Sequence, residues 1–255
     1  MTPPVLVTGG TGTLGRHVVP LLRRAGRRVR VLSRRPHDSG DGVDHVVGDL
    51  RRDTGVDAAV EGADTVLHLA GAPRGDDEAA RVLVRAAARA GVRHLVFISI
   101  IGVDRVPLGF YRAKYRAEQA VAGSGVPWTV LRAAQFHDLV LAGVRSLAAM
   151  PVVPVPRGLR MQPVDADEVA ARLVALALGG PAGRVPDLAG PKVYPVADLV
   201  RGYLRVRGMR RLLLPVPVPG RIGRAYREGA NLSREGVVTG GRTWEEFLAE
   251  RVGTP

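Results

Sequence analysis

The sequence predicts an α/β protein: a doubly wound, mainly parallel sheet with a small C-terminal lobe. Three observations carry that prediction. Short apolar, β-branched runs alternate with helical stretches from residue 5 to residue 132, the pattern of βαβ units. The first run is followed at once by a glycine cluster and then by a helix-like stretch. Hydrophobic residues make up 46% of the 255, enough for one large core with a smaller lobe attached. The chain reads as a single unit over 1–255, with a core at about 1–136 plus 161–190 and the lobe at about 137–160 and 191–255.

The first strand is Val5-Leu6-Val7-Thr8, a buried apolar run that the glycines of Gly9-Gly10-Thr11-Gly12-Thr13-Leu14-Gly15 break sharply. Val18, Val19, Leu21 and Leu22 then give a helical stripe. Gly10-x-Gly12-x-x-Gly15 fits the dinucleotide fingerprint, and Gly9-x-x-Gly12-x-x-Gly15 is its other common spacing. One glycine permits the tight turn, one lets backbone approach a pyrophosphate, and one lets helix and strand pack closely. The unpaired N–H groups and the dipole at the helix start would hold the phosphates. A glycine run alone is also compatible with a plain turn; the strand before it and the helix after it favour dinucleotide binding and a Rossmann-like sheet.

Arg28–Ser33 alternates as a second strand and ends in Arg34-Arg35. At this point of a dinucleotide fold an acid would bind the ribose 2′-hydroxyl of NAD. Two guanidiniums stand there instead, which suits the 2′-phosphate of NADP(H), or else a solvated loop. Gly42–Leu50 reads as a third strand ending at Asp49, a carboxylate able to accept from an adenine amino group or simply to sit in a surface turn. A short helix includes Ala58–Val60, and Thr65–Leu69 is the fourth strand, with His68 read as a core histidine. Ala70-Gly71-Ala72 supplies small residues where a cofactor would cross a strand end. A helix over Glu78–Ala90 stops at Gly91, the fifth strand is His94–Ser99, a helix surrounds Tyr111–Ala122, and Trp128–Arg132 is the sixth strand.

The remainder is less regular. Pro151–Pro156 reads as an extended loop or edge strand. Asp165-Ala166-Asp167-Glu168 has the Asp-x-x-Glu spacing of a capped helix start leading into Val169–Leu178, and its acids are read as caps rather than metal ligands. Pro215–Pro219 reads as a stiff turn and Trp244–Arg251 as an amphipathic terminal helix. These pieces are expected to form a substrate lobe over the C-terminal ends of the strands.

Composition narrows the function classes. There is no cysteine, which excludes disulfides, thiolate metal sites and thiol nucleophiles. No metal is expected. Met1-Thr2-Pro3-Pro4 runs directly into the first strand without the features of a signal peptide, and no apolar run is long enough to span a bilayer, so a cytoplasmic protein without a membrane partner is expected. The net charge is +13, yet Lys114 and Lys192 are the only lysines and the arginines are scattered over predicted helix faces. Aromatic residues are 4%, too few for a stacking platform, which argues against nucleic acid as the partner.

The residues quoted above resemble a known family. Thr8–Gly15, Ser33-Arg34-Arg35 and Gly48-Asp49-Leu50 are similar to those of an atypical short-chain dehydrogenase/reductase, as are Pro127–Arg132 and Gln135-Phe136; most narrowly the set resembles the NmrA-like NAD(P)H-binding group. The resemblance covers about residues 5–178 well and the rest more loosely. It implies a Rossmann core, NADP(H), and activities ranging from reduction of quinones or carbonyls to cofactor sensing without turnover. It puts Gly9, Thr11, Gly12, Thr13, Leu14, Ser33, Arg34, Arg35, Asp49, Leu50, Ala70, Gly71, Lys114 and Phe136 against the cofactor.

The family's usual active site is a Tyr-x-x-x-Lys helix with a serine on the preceding strand. Here Phe110 occupies the tyrosine place before Lys114, and Ser99 lies where the serine would. Lysine lowers a tyrosine's pKa from about 10 so that the phenol can exchange a proton; phenylalanine cannot. The candidate catalytic residues are therefore Lys114, Ser99 and Tyr111, the last as a substitute three residues from Lys114 on one helix face. The expected function is an NADP(H)-dependent oxidoreductase acting on a quinone, enone or other small apolar carbonyl acceptor. The alternative is a non-enzymatic NADP(H) sensor that binds a protein partner.

Overall fold

The computed structural model describes residues 2–40, 42–72, 74–234 and 238–253. In chain order the elements are β1 (Val5–Thr8), α1 (Gly15–Arg24), β2 (Val29–Ser33), β3 (Val43–Val47), α2 (Val56–Val60), β4 (Thr65–His68), α3 (Asp76–Arg89), β5 (His94–Ile100), α4 (Gly109–Ala122) and β6 (Trp128–Ala133). They continue with α5 (His137–Ala148), β7 (Val152–Pro156), β8 (Arg160–Met161), α6 (Ala166–Leu178), β9 (Gly183–Arg184), β10 (Leu188–Ala189), β11 (Tyr194–Pro195) and α7 (Val196–Val206). β12 (Leu212–Val216), α8 (Gly220–Arg227), β13 (Val238–Thr239) and α9 (Trp244–Val252) complete the chain. Two compact units result: Met1–Ser99 with Arg112–Arg132 and Asp167–Val185, and Ile100–Tyr111 with Ala133–Ala166 and Pro186–Pro255.

In the first unit the strands lie in the order β3-β2-β1-β4-β5-β6, with β9 parallel to β6. The pairings β2–β3, β1–β2, β1–β4 and β4–β5 are all parallel. This is the doubly wound sheet the sequence predicts, and its order reverses between β1 and β4, where such sheets open a crevice for ligands. Strand side chains alternate between faces. Leu6, Val66, Leu95, Phe97 and Val130 turn to one face, where α2, α3 and α4 bury Val56, Ala59, Leu83, Ala87, Ala117 and Val121. Val5, Val7, Val31, Leu67 and Val96 alternate with them and are also fully buried or nearly so, as expected for a sheet covered on both sides.

The third strand ends earlier than the sequence pattern suggests. β3 stops at Val47, and Asp49 instead pairs with Thr54 across a tight turn. Two glycines permit this fold-back: a Cβ on Gly55 would strike the Val47 carbonyl, and one on Gly48 would meet the Thr54 carbonyl at 2.5 Å. The chain folds back on itself where an extended strand would have continued.

The second unit has its own core. Val140, Leu141 and Val144 of α5, Leu199, Val200 and Tyr203 of α7, and Trp244, Phe247 and Leu248 of α9 enclose Val153 and Val155 of β7. α5, α7 and α8 were not read from the sequence. Pro215-Val216 corrects the reading of 215–219 as a turn throughout, because both residues belong to β12, which pairs in parallel with β7. Proline lacks a donor but still accepts through its carbonyl, so a ribbon whose ladder uses the other residues tolerates it. α9 starts with a full capping box, Thr243 Oγ1 accepting from Glu246 N–H and Glu246 Oε2 accepting from Thr243 N–H at 2.8 Å. Asp165, read as a cap, carries an ion pair to Arg242 at 2.8 Å.

The capping box makes a direct prediction. Thr243→Ala should destabilise the protein by about 1 kcal/mol, read as a lower urea midpoint of Trp244 fluorescence; an unchanged midpoint would show that α9 is held by its buried Trp244 and Phe247 alone.

Candidate functional site

The glycine turn is built by close approach. Gly9, at φ +73°, stands where β1 meets β4: a Cβ there would lie 2.7 Å from the Ala70 amide nitrogen. A Cβ on Gly15 would strike the Gly9 and Gly10 carbonyls, and one on Gly10 would lie 2.9 Å from Val31. Gly12 N–H closes the turn on the Gly9 carbonyl at 3.0 Å. α1 therefore begins with no side chain between its N-terminus and the strand ends, and its N-cap, Leu14, makes no side-chain cap. Thr11, Gly12 and Thr13 are exposed above the turn, whereas Leu14 turns inward and is 6% exposed. A pyrophosphate laid across this turn would meet backbone N–H groups and the positive end of α1. The residues present thus fit a dinucleotide.

At the end of β2, Ser33 Oγ accepts from Arg35 N–H at 3.3 Å. The Arg34 and Arg35 side chains are exposed, and neither has an ion pair or hydrogen bond among the described residues. Most neighbouring arginines are paired: Arg28 with Asp44, Arg27 and Arg93 with Asp64, Arg89 with Asp57. Asp49 is half-buried and its Oδ1 accepts from Arg51 N–H at 2.8 Å, which leaves Oδ2 for a further donor. Leu50 is 7% exposed and packs in the core of the first unit, so only its backbone is available to a ligand.

Across the crevice from the turn, Ala70 is half-buried and Gly71 exposed at the end of β4. Lys114 of α4 reaches the same place. Its ammonium lies 2.8 Å from Asp76 Oδ2, with both side chains almost completely buried, and 5.1 Å from the centre of the Phe97 ring. A Cβ on Gly71 would come within 3.5 Å of the Lys114 ammonium. Asp76 itself is fixed by accepting from Ala72 N–H at 2.6 Å and begins α3, where a carboxylate complements the helix dipole. Asp76 escaped the sequence reading; its signal there is an acid directly after Gly75 at a helix start. His68 lies beneath, bonded to Thr8 Oγ1 at 2.6 Å and stacked on Phe97. Burial, and then the Lys114 charge, push its imidazole down from 6.5 to about 3, so it is neutral at ordinary pH.

The remaining catalytic candidates are otherwise engaged. Ser99 donates to Glu118 Oε2 at 2.7 Å, and Glu118 is held by Arg132 through Nε at 3.0 Å and Nη2 at 2.7 Å. All three are buried. Glu118, one turn beyond Lys114, and Arg132 were missed because their pairing is set by tertiary approach of α4 to β6. Tyr111 is 5% exposed. Gln135 Nε2 donates to its hydroxyl at 3.0 Å, and the hydroxyl donates to Tyr226. Burial, and then Tyr226, raise the Tyr111 pKa, the opposite of what a tyrosine acid needs. Phe110 is exposed beside it. Phe136 is half-buried as the N-cap of α5, its backbone paired with Val164.

Comparison with known proteins agrees with the geometry. The profile of the NAD(P)H-binding family matches residues 9–177, and the chain belongs to that family. It is 33% identical to (4-alkanoyl-5-oxo-2,5-dihydrofuran-3-yl)methyl phosphate reductase of Streptomyces griseus, over 91% of this chain and 88% of the relative. It is 32% identical to ceramide reductase of Caulobacter vibrioides, over 85% of this chain and 74% of the relative. Among solved structures, the NADPH-dependent quinone oxidoreductase of Escherichia coli in complex with NADPH matches with a TM-score of 0.83 at 19% identity, covering 96% of this chain and 99% of that one.

The buried imidazole is directly measurable. Across an NMR titration from about pH 8 to pH 5, His68 should keep its neutral chemical shifts while a free histidine charges near 6.5. Because the unfolded chain takes up this proton near 6.5 and the folded chain only near 3, the contribution of His68 to stability falls as pH drops through that window. A midpoint near 6.5 for the folded protein would mean that Lys114 and the burial do not act on it.

Proposed function

We propose that this protein is a cytoplasmic NADPH-dependent reductase of a small, apolar, conjugated acceptor such as an enone or quinone. The observation that carries the reading is the buried Lys114–Asp76 pair beside Gly71, combined with phenylalanine at position 110: the group that would orient a nicotinamide ribose is retained while the phenolic acid is not. The S. griseus and C. vibrioides relatives are both named as reductases, and the former's name gives an alkanoyl-bearing 5-oxo-2,5-dihydrofuran, a conjugated carbonyl compound that also carries a methyl phosphate.

In this reading the turn at Gly9, Thr11, Gly12, Thr13 and Leu14 holds the pyrophosphate, Arg34 and Arg35 take the 2′-phosphate, and Ser33 shapes the turn between them. Asp49 and the Leu50 backbone flank the adenine, Ala70 and Gly71 leave room along β4, and Phe136 walls the nicotinamide end. When bound, the cofactor supplies a hydride. Lys114 donates to ribose hydroxyls, with Asp76 holding its ammonium in place at 2.8 Å. Ser99 is a positioning residue: its proton is committed to Glu118, and through it the α4 helix that carries Lys114 is tied to β5. A conjugated acceptor delocalises the charge it gains and takes its proton from water, so no low-pKa phenol is required. The protein's contribution is placement and exclusion of competing geometry.

One observation favours a second reading, an NADPH-sensing regulator: Tyr111 is raised in pKa and Ser99 is occupied, so the usual proton relay is missing. Acceptor-dependent loss of NADPH absorbance with a panel of quinones and enones separates the two, because a sensor would bind NADPH without consuming it.

Two further outcomes are expected. In calorimetric titrations NADPH should bind more tightly than NADH, and Arg34→Ala/Arg35→Ala should cost roughly ten- to a hundredfold in NADPH affinity, two charge-assisted bonds discounted for exposure, with little change for NADH. Equal affinities for the two cofactors would remove the assignment. In steady-state assays Lys114→Ala should raise the NADPH concentration needed for half-maximal rate, and Tyr111→Phe should leave turnover within a few-fold. A loss of about a hundredfold in the tyrosine variant, with cofactor binding intact, would identify Tyr111 as the general acid instead.

A further inference from the structure

The ribbon formed by β7 and β12 has an unusual outer face. In its parallel register Leu212 pairs with Val152, Leu213 with Val153, Leu214 with Pro154, Pro215 with Val155 and Val216 with Pro156. Paired residues share a face, and the faces alternate along the strands. Val153 and Val155 point inward and are at most 4% exposed, with Leu213 against the same core. The opposite face is Val152, Pro154, Pro156, Leu212, Leu214 and Val216. A ribbon with one side in the core ordinarily shows polar side chains on the other. Here every outward residue is apolar, and Leu212 is 67% and Leu214 51% exposed.

The stretch of chain that carries β12 is strongly basic. Arg205, Arg207, Arg210, Arg211, Arg221, Arg224 and Arg227 are all exposed, and the sequence from 205 to 227 contains no Asp or Glu. Among the described residues none of the seven forms an ion pair. Arg210 and Arg211 lead directly into β12, and Arg157, also exposed, leaves β7 with its N–H on the Val216 carbonyl at 2.8 Å. Arg210 has the parity of the outward face at the head of β12, whereas Arg211 turns back and donates through Nε to the Ala148 carbonyl at 3.4 Å.

We propose that this face docks peripherally on an anionic lipid bilayer. Leucine and valine side chains reach the headgroup–acyl boundary while the arginine stems carry their charges to lipid phosphates. A bilayer surface supplies both halves of this chemistry at once. Other occupants fit less well. A second copy meeting this face across a two-fold axis would bring arginines against arginines. Strand addition is opposed by Pro154, Pro156 and Pro215, which offer no donor along the ribbon. Among the described residues no helix is long and apolar enough to cross a membrane. Docking on a bilayer departs from the sequence-based expectation of no membrane partner.

Co-sedimentation of the full chain with vesicles tests this. Vesicles of phosphatidylcholine containing phosphatidylglycerol should bind the protein, pure phosphatidylcholine should bind it poorly, and added salt should release it. Arg207→Gln/Arg210→Gln should weaken binding roughly twenty-five-fold, at about fivefold for each charge near the surface. Leu212→Ser/Leu214→Ser changes only exposed side chains and should reduce binding by a similar factor, with an unaltered circular dichroism spectrum and unfolding midpoint. No binding to the anionic vesicles, or binding indifferent to both double variants, would overturn the proposal. So would light scattering that shows a dimer of the native chain falling apart in the leucine variant, since the face would then belong to a second copy.

Discussion

The distance between the start of α1 and the ends of β1 and β4 is the constraint on which the first unit depends. No Cβ fits at Gly9 or Gly15, because each position is occupied by backbone of a neighbouring segment rather than by a movable side chain. Steric conflicts of this kind are not relieved by rotamer change, and at Gly9 the positive φ adds a conformational penalty for any other residue. Everything downstream follows from that closeness. The helix axis is aimed at the crevice, the sheet reverses its strand order there, and Ala70-Gly71 are brought opposite the turn.

The second organising feature is that α4 carries both buried charges of its inner face. Lys114 meets Asp76 and, one turn on, Glu118 meets Arg132. Isolated charges at that depth would be prohibitive, and each is tolerated because its partner is buried with it. Such pairs contribute little net stability compared with an apolar core, yet they fix where the helix can sit, since any slide would separate two pairs together. That is a reason for a charged seam along a helix whose register must be held next to a cofactor crevice. The same ammonium adds to the burial that keeps His68 neutral, so the charged seam also bears on the group below it.

What was legible in the sequence was what local pattern encodes. The β1–turn–α1 sequence, the βαβ alternation and the paired arginines after β2 are each written in a few consecutive residues, and the observed sheet has them where expected. The end of β3 was misread because Val46-Val47-Gly48-Asp49 looks continuous, and only the fold-back onto Gly55 stops it. Asp76 and Lys114 are far apart in sequence, as are Tyr111, Gln135 and Tyr226; no spacing rule links them, and they meet only after the helices have packed. The second unit was least legible. Its prolines mask the β7–β12 ribbon, and the apolar stripes of α5 and α7 carry no glycine or cap to announce their starts. Thr243-x-x-Glu246 at α9 is a capping box, and the helix after it was the one terminal element read correctly.

The preference for arginine over lysine leaves a chemical consequence. Of the two lysines, Lys114 is sealed against Asp76, while Lys192 lies on the surface beside Glu245, its side chain 58% exposed. Acylating reagents that select primary amines therefore find one accessible side-chain address, on the second unit. A fluorophore or surface tether attached there would report on that unit, once the more readily acylated α-amino group at Met1 has been blocked or is left neutral by the choice of pH.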